Sequence, residues 1–367
     1  MATIQGLTNF DNTFRNLIIG GNFSTNPWQR GTEFPSLLNN QYSADRWKCQ
    51  REGIGSCTFR KSLDVPTVLQ AKTFIYNSLE IEVVDADVSP APSHYMSVTQ
   101  VIEGYNFTRI AQKPFVCSFW VKAAMSGTYC IALKNDANDI TFVGAYIVNN
   151  RNTWEKKTVK VPPSPDTGSW NYEQGTGLSV IFTLMTGSDY MTNSSQQWTS
   201  GNFLSTPAQA NLMDSTGLRF KLANIQIEAG VDATQFEDRD YGTELNLCQR
   251  YYEKSFEALV APQNAAGTIS TAALNCSTKD SELNHSGVTF KQRKRTSVPS
   301  ILFYNPVKNN DSAHNITKGE DCGRTLLDQN GDTQIVVSIV SSPSAIAGDL
   351  LGYHWTCLLY TSPSPRD

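Results

Sequence analysis

Apolar residues in this chain return at every second position, segment after segment, and almost nowhere at every third and fourth. A period of two sends alternate side chains to opposite faces of an extended strand. Each such segment therefore has one face to bury and needs a second layer to bury it against. SLEIEVV (78–84) sets Leu79, Ile81 and Val83 against Glu80 and Glu82, with the acidic face read as solvated. KPFVCSFWVKA (113–123) aligns Phe115, Cys117, Phe119 and Val121, and GLSVIFTLMTG (177–187) aligns Leu178, Val180, Phe182 and Leu184. TYCIALK (128–134), WEKKTVKVP (154–162) and RFKLANIQIEAG (219–230) repeat the pattern, with Gly, Pro, Asn and Asp breaking the chain between them.

These strands predict an all-β chain with a jelly-roll β-sandwich over residues 16–240, after a lead segment at 1–15. The one helical pattern is YGTELNLCQRYYEKS (241–255), with Thr243 as cap and Leu245, Cys248 and Tyr252 on one face. With the small, polar APQNAAGTIS it gives a helix and linker over 241–264. GVTFK, PSILFYN, TQIVVSIV and DLLGYHW then predict a smaller β domain over 265–356. The last stretch, CLLYTSPSPRD (357–367), matches one reading frame of a transposon-end sequencing adapter. It is expected to be translated adapter rather than protein, and to project without a regular partner.

A formal net charge of −4 argues against nucleic acid as the main partner, because phosphate binding needs a basic excess. No apolar run reaches the roughly 18 residues of a membrane span, and MATIQGLTNFDNTF lacks the pattern of a signal peptide, so synthesis in a cytoplasm and no membrane partner are expected. The eight cysteines contain no C-x-x-C pair and do not cluster with the four histidines, which predicts free thiols and no zinc site. No G-x-S-x-G, P-loop, H-E-x-x-H or dinucleotide fingerprint is present, so neither catalysis nor a cofactor is expected. Glu80, Glu82 and Asp85 differ in type from the paired-carboxylate strand of jelly-roll β-glucanases, and an alternating strand accounts for the same letters. The basic run KQRKR (291–295) is read as a solvated turn or charged edge strand, with contact to an anionic polysaccharide as the alternative.

Three segments carry a family resemblance: NLIIGGNFSTNPWQRG (16–31) with YSADRW (42–47), QVIEGYNFTRIAQKPFVCSFWVKA (100–123), and LANIQIEAGVDATQFEDRDYGTELNLCQRYYEKS (222–255). Together they resemble the carbohydrate-binding-module-like β-sandwich of bacteriophage tail fibres and other virion appendages. The third is the most specific, combining a strand, an A-T-x-F-E turn and a C-Q-R-Y-Y helix in fixed order. The resemblance implies a virion protein made in the host bacterial cytoplasm, displayed as a homo-oligomer, most simply a homotrimer. Host-surface glycans and other virion proteins would be its partners. Within the motifs, Asp45 and Arg46 are read as making separate structural pairs, and Trp28 and Trp47 as covering the core.

Sugar binding needs aromatic faces for pyranose C–H surfaces and planar polar groups for hydroxyls. The candidates are Trp120, on the polar side of its strand, and the loop aromatics Trp170, Tyr172, Tyr190 and Trp198, amid Asn, Gln and Ser. Binding is expected to be carried by loops and a concave face. The structural alternative packs Trp120 between sheets and uses the loop rings to pin long loops onto the sandwich.

Overall fold

The computed structural model describes residues 14–258, 260–267, 272–276, 283–297, 299–323 and 325–359. These residues are mostly strand and divide into two compact units. The first comprises the described residues up to Ser24, Pro35–Gln41 and Cys49–Arg239, and the second Thr25–Phe34, Tyr42–Lys48 and the described residues from Asp240 on.

The first unit is a two-sheet sandwich. One sheet runs, in spatial order, Ser56–Ser62, Ser78–Asp85, Arg219–Ala229, Phe115–Ala123 and Glu155–Val161. The other runs Trp198–Ser200, Ile140–Val148, Gly127–Lys134, Thr176–Thr186, Tyr95–Glu103 and residues 49–52. Their ladders are antiparallel, with Phe182 opposite both Val98 and Ile131, and Cys117 opposite Ile227 and Val159. The inward residues are those the alternation selects. Phe119 meets Phe182 and Tyr146 edge-on across the layers, with ring centroids 4.9 and 5.0 Å apart, and Tyr129 packs on Phe220 at 5.6 Å. Each such pair adds about 0.5–1.5 kcal/mol beyond burial of its area.

The outer face of the second sheet is closed by the chain itself. Residues 187–211 supply its edge strand, Trp198–Ser200, and on either side of it take hydrogen bonds from Thr183 Oγ1 to Leu204 O at 2.7 Å and from Thr141 Oγ1 to Gly201 O at 2.6 Å. Leu204 packs on Ala132 and Ile181, with Tyr95 and Tyr190 alongside. Lys134, buried there, donates to Asn202 Oδ1, and burial lowers its pKa to about 7.

In the second unit the strand Leu350–Leu358 pairs with Tyr252–Lys254, Ser300–Tyr304, Ala273–Cys276 and His314–Asn315. A separate sheet runs Leu283–Thr289, Gln334–Val340 and Thr325–Asn330. The helix Tyr241–Gln249 is capped by Asp240 rather than Thr243, the Asp240 carboxylate accepting from Thr243 N at 2.9 Å. An acidic residue one turn earlier reaches the free N–H groups of the first turn that Thr243, already helical, cannot.

Two expectations change. Lys294, inside the basic run, is fully buried, donating to Gln249 O at 2.6 Å and to the Glu253 carboxylate. An isolated charge would be untenable there, so the pair with Glu253 is what admits it. Cys357 and Leu358 do not project: the strand runs through them, Cys357 lying opposite Glu253 and Ile301, and Leu359 N donates to Tyr251 O at 2.9 Å. His354 to Leu358 continue an alternation whose backbone groups meet open ladder positions on both sides, which is sufficient to keep a chain extended. Residues 360–367 lie outside the described residues.

The seven described cysteines are free and buried. Burial raises the thiol of Cys49 to about 12 and that of Cys117 further, as for inert apolar packing.

Candidate functional site

The outer face of the first sheet carries two environments side by side. Over the strands Ser56–Ser62 and Ser78–Asp85 lies a charge network. Glu80 accepts from Lys221 at 2.6 Å, Arg60 stands 2.8 Å from Glu82, and Arg219 stands 3.3 Å from Glu82. Asp64 accepts from Lys122 and Lys221, each at 2.7 Å, and from Trp154 Nε1 at 3.0 Å. The acidic face of 78–85 is thus paired rather than solvated, because Lys and Arg on neighbouring strands register directly against it. Burial would raise the Glu80 carboxyl, but hydrogen bonds from Lys221 and Ser62 outweigh it and leave it below the ordinary value. That is the wrong direction for a general acid.

Beyond this network a cleft of about 340 Å³ opens over Trp120. Such a volume lies at the small end of ligand sites. Its floor is the sheet: Ser118 and Trp120 from one strand, Lys156 registered opposite Trp120 on the next, and Asn224 from the other side. One rim is Ala71, Lys72 and Thr73, the other Ala233, Thr234, Gln235 and Phe236. The first rim is fixed by a one-turn helix, Val68–Ala71, closed by a Thr67/Gln70 capping box and ended by Lys72 in the left-handed conformation. The second is tied down where Thr234 donates through N and Oγ1 to the Glu228 carboxylate, at 2.8 and 2.6 Å.

Trp120 is only 8% exposed, seated on Ile75, Trp154 and Ala223. Asp64 holds Trp154 by its indole N–H, so a charge network steadies the wall on which Trp120 rests. Asn224 enters the cleft through a bulge: the ladder slips between Ala223 and Gln226, and Asn224 takes φ 45°. A bulge re-aims a side chain that regular pleating would place elsewhere. The Asn224 side chain is 6% exposed, and its Oδ1 is buried without a donor. A sealed, unsatisfied amide oxygen costs roughly 1–3 kcal/mol, a cost carried inside the bulge, and Asn224 lines the cleft through its other atoms.

Of the aromatics expected from sequence, the structure brings three together, away from Trp120. Trp170 and Tyr172 stack on Phe107 at 5.1 and 6.1 Å, and Trp198 meets Trp170 edge-on at 5.6 Å. The indole N–H groups of Trp170 and Trp198 donate to Thr167 O and Pro162 O, both at 2.9 Å, while Tyr172 keeps 39% exposure at the edge. Tyr190 sits apart, edge-on to Tyr95 at 5.1 Å under the covering segment.

Sequence reading missed Asn224, Lys156, Lys72 and Ser118. Asn224 left a signal: Asn is depleted in strands and tolerates positive φ, so its place in the middle of RFKLANIQIEAG marks a bulge. The rims left none, since they reach the sheet only through tertiary contacts. Among the described residues no group of His, Cys, Asp and Glu could hold a metal ion, and no helix is long and apolar enough to cross a membrane.

The first unit is thus an all-β sandwich with a polar cleft on one outer face. No protein-family model and no curated protein matches the chain. Among solved structures it is similar to the TmCBM61 module in complex with β-1,4-galactotriose, with a TM-score of 0.30, 9% identity, and 59% of this chain and 99% of that one covered. A CBM4 module gives 0.30 and 15%, over 56% and 99%. A family 11 carbohydrate-binding module of a Clostridium thermocellum cellulosomal cellulase gives 0.29 and 12%, over 55% and 98%.

Proposed function

We propose that this chain is a non-catalytic bacteriophage virion protein, a tail fibre or similar appendage, that adheres to host-surface glycans through the Trp120 cleft. The observation that carries the binding reading is the indole floor of a cleft lined by the polar side chains of Ser118, Asn224, Thr234 and Gln235. An apolar ring face and polar side chains at one cleft are what a sugar, with its C–H face and its hydroxyls, complements. The lining holds no carboxylate, in keeping with binding rather than hydrolysis. The virion assignment rests on the three motif segments. Each site would be weak, with several copies on one particle supplying avidity.

A glycan array with the full chain, repeated with Asn224→Ala and Trp120→Ala, tests the binding. The expected result is a defined set of bound glycans, lost roughly tenfold or more in both variants. Asn224→Ala carries the comparison if Trp120→Ala unfolds. An array with no bound glycan overturns the reading. Antibody labelling of purified particles tests the virion assignment.

The second reading, a purely structural virion part, is favoured by Trp170 and Trp198, whose N–H groups and rings are spent on holding loops. The exposed apolar side chains of Leu63, Val68, Leu69, Phe74 and Tyr76, close together in the chain, support self-association in either reading. A homotrimer is the proposed state, and light scattering giving a monomer mass of about 40.6 kDa at micromolar concentration would count against it.

A further inference from the structure

We propose that the ligand of the Trp120 cleft is an acidic sugar whose carboxylate or sulfate is held between Lys72 and Lys156. This rests on the reading of the cleft as a glycan site and adds the chemical class of its ligand. Lys72 and Lys156 are the only charged side chains among the lining residues, and no acidic residue lines the cleft with them. They come from separate parts of the fold. Lys72 ends the one-turn helix on the rim, and Lys156 stands opposite Trp120 in the ladder.

The contrast with the rest of the same sheet face carries the argument. Lys122 and Lys221 are neutralised by Asp64 and Glu80, Arg60 and Arg219 by Glu80 and Glu82, and Lys160 by Asp232. Among the described residues, neither Lys72 nor Lys156 makes an ion pair. In a chain of formal net charge −4, an unmatched pair of ammonium groups flanking an indole is a local feature rather than a general basic surface. The two lysines share the cleft with the neutral polar side chains of Ser118, Asn224, Thr234 and Gln235. A neutral hydrophobic ligand would match neither the polar lining nor the two ammonium groups. A neutral sugar would serve the indole and the polar lining but leave the two ammonium groups unmatched. A sugar bearing an anionic group serves all of them, its C–H face on the indole, its hydroxyls on the polar lining and its anionic group on the lysines.

Calorimetry on the full chain with three matched probes tests this: a galactan oligosaccharide, its sulfated form and an oligogalacturonate of the same length. At low salt one or both acidic probes should bind at least roughly tenfold more tightly than the neutral one. Whichever binds identifies sulfate or carboxylate as the group recognised. The preference should shrink in 0.5 M salt and in the Lys72→Met/Lys156→Met double variant. Both lysines are exposed, so that variant should melt as the wild type does. Equal or tighter binding of the neutral probe, or a preference that survives the double variant, overturns the proposal. If none of the probes binds but a glycan array finds a neutral ligand sensitive to Asn224→Ala, the acidic class fails while the glycan reading stands. If no glycan of any kind binds, both fail together.

Discussion

Asp64 is the residue on which the outer face of the first sheet turns, since one carboxylate gathers two lysines and an indole N–H from three separate segments. Burial alone would raise its pKa, but hydrogen bonds from Lys122, Lys221 and Trp154, with the charge of Lys221, hold it down at about 2. The folded carboxyl is thus depressed below its ordinary 3.8. Its contribution is fully present above pH 4 and is lost as pH falls through about 2. The carboxylate is 35% exposed, so solvent screening discounts the effect to about 1 kcal/mol. Asp64→Asn should therefore lower stability by about that amount in urea melts at pH 5–7, and the gap to wild type should close by pH 2. A gap that persists at pH 2 would mean that the carboxylate acts through shape alone. Because Trp154 leans on Trp120, the same variant should also weaken glycan binding at neutral pH without touching the ligand itself.

At the scale of elements, the loop aromatics depend on one close approach. Gly104 opens the short helix Gly104–Phe107, and its N–H and that of Tyr105 donate to Gly175 O and Glu173 O at 3.0 and 2.8 Å. A Cβ at 104 would lie 2.5 Å from Glu173 O and 2.6 Å from Asn171 O, both rigid backbone. Gly104→Ala should push the 171–175 loop outward, unseat Trp170 and Tyr172 from Phe107, and cost about 1–3 kcal/mol. A lowered melting temperature with altered tryptophan fluorescence, and unchanged glycan binding at the Trp120 cleft, is the expected outcome; lost binding would place the ligand at the loop aromatics instead. The loop rings were visible in the sequence as aromatics amid polar residues, but their assembly was not, because it needs Phe107 from an element far away in the chain. Strands were legible almost residue for residue, since alternation such as that of Phe115, Cys117, Phe119 and Val121 is a local signal of the inward face, whereas the burial of Val116, Ser118 and Trp120 on the other face was not legible. The cleft was legible only at Trp120. Its rims, the segment that edges the second sheet and the pairing of Glu80 are fixed by contacts between distant segments, which periodicity does not encode.

For the whole molecule, the division into units does not follow chain order. Thr25–Phe34 and Tyr42–Lys48 belong to the second unit, and they carry the N-terminal motif residues. Asp45 accepts from Gln29 N at 2.7 Å and Nε2 at 2.9 Å, and Arg30 stands 3.3 Å from it. The Arg30 guanidinium lies over the Tyr252 ring at 3.5 Å, and that of Arg46 over Tyr251 at 3.4 Å. The two arginines of PWQRG and ADRW therefore stack on the two tyrosines of CQRYY, which explains in physical terms why these short segments travel together. Each desolvated cation–π contact is worth up to about 2 kcal/mol. Trp28 and Trp47, in the same two segments, are buried as the sequence led one to expect. A fragment of residues 240–367 lacks all of this. Losing two indoles, two stacked guanidiniums and the Asp45 network removes an amount comparable to the roughly 5–15 kcal/mol by which a domain of this size is stable. The fragment alone should show no cooperative thermal transition by near-UV circular dichroism, and adding a peptide of residues 25–48 should restore one. A cooperative melt from the fragment by itself would show that the strand Leu350–Leu358 and its neighbours suffice, and that the arginine–tyrosine stacks contribute little to the fold.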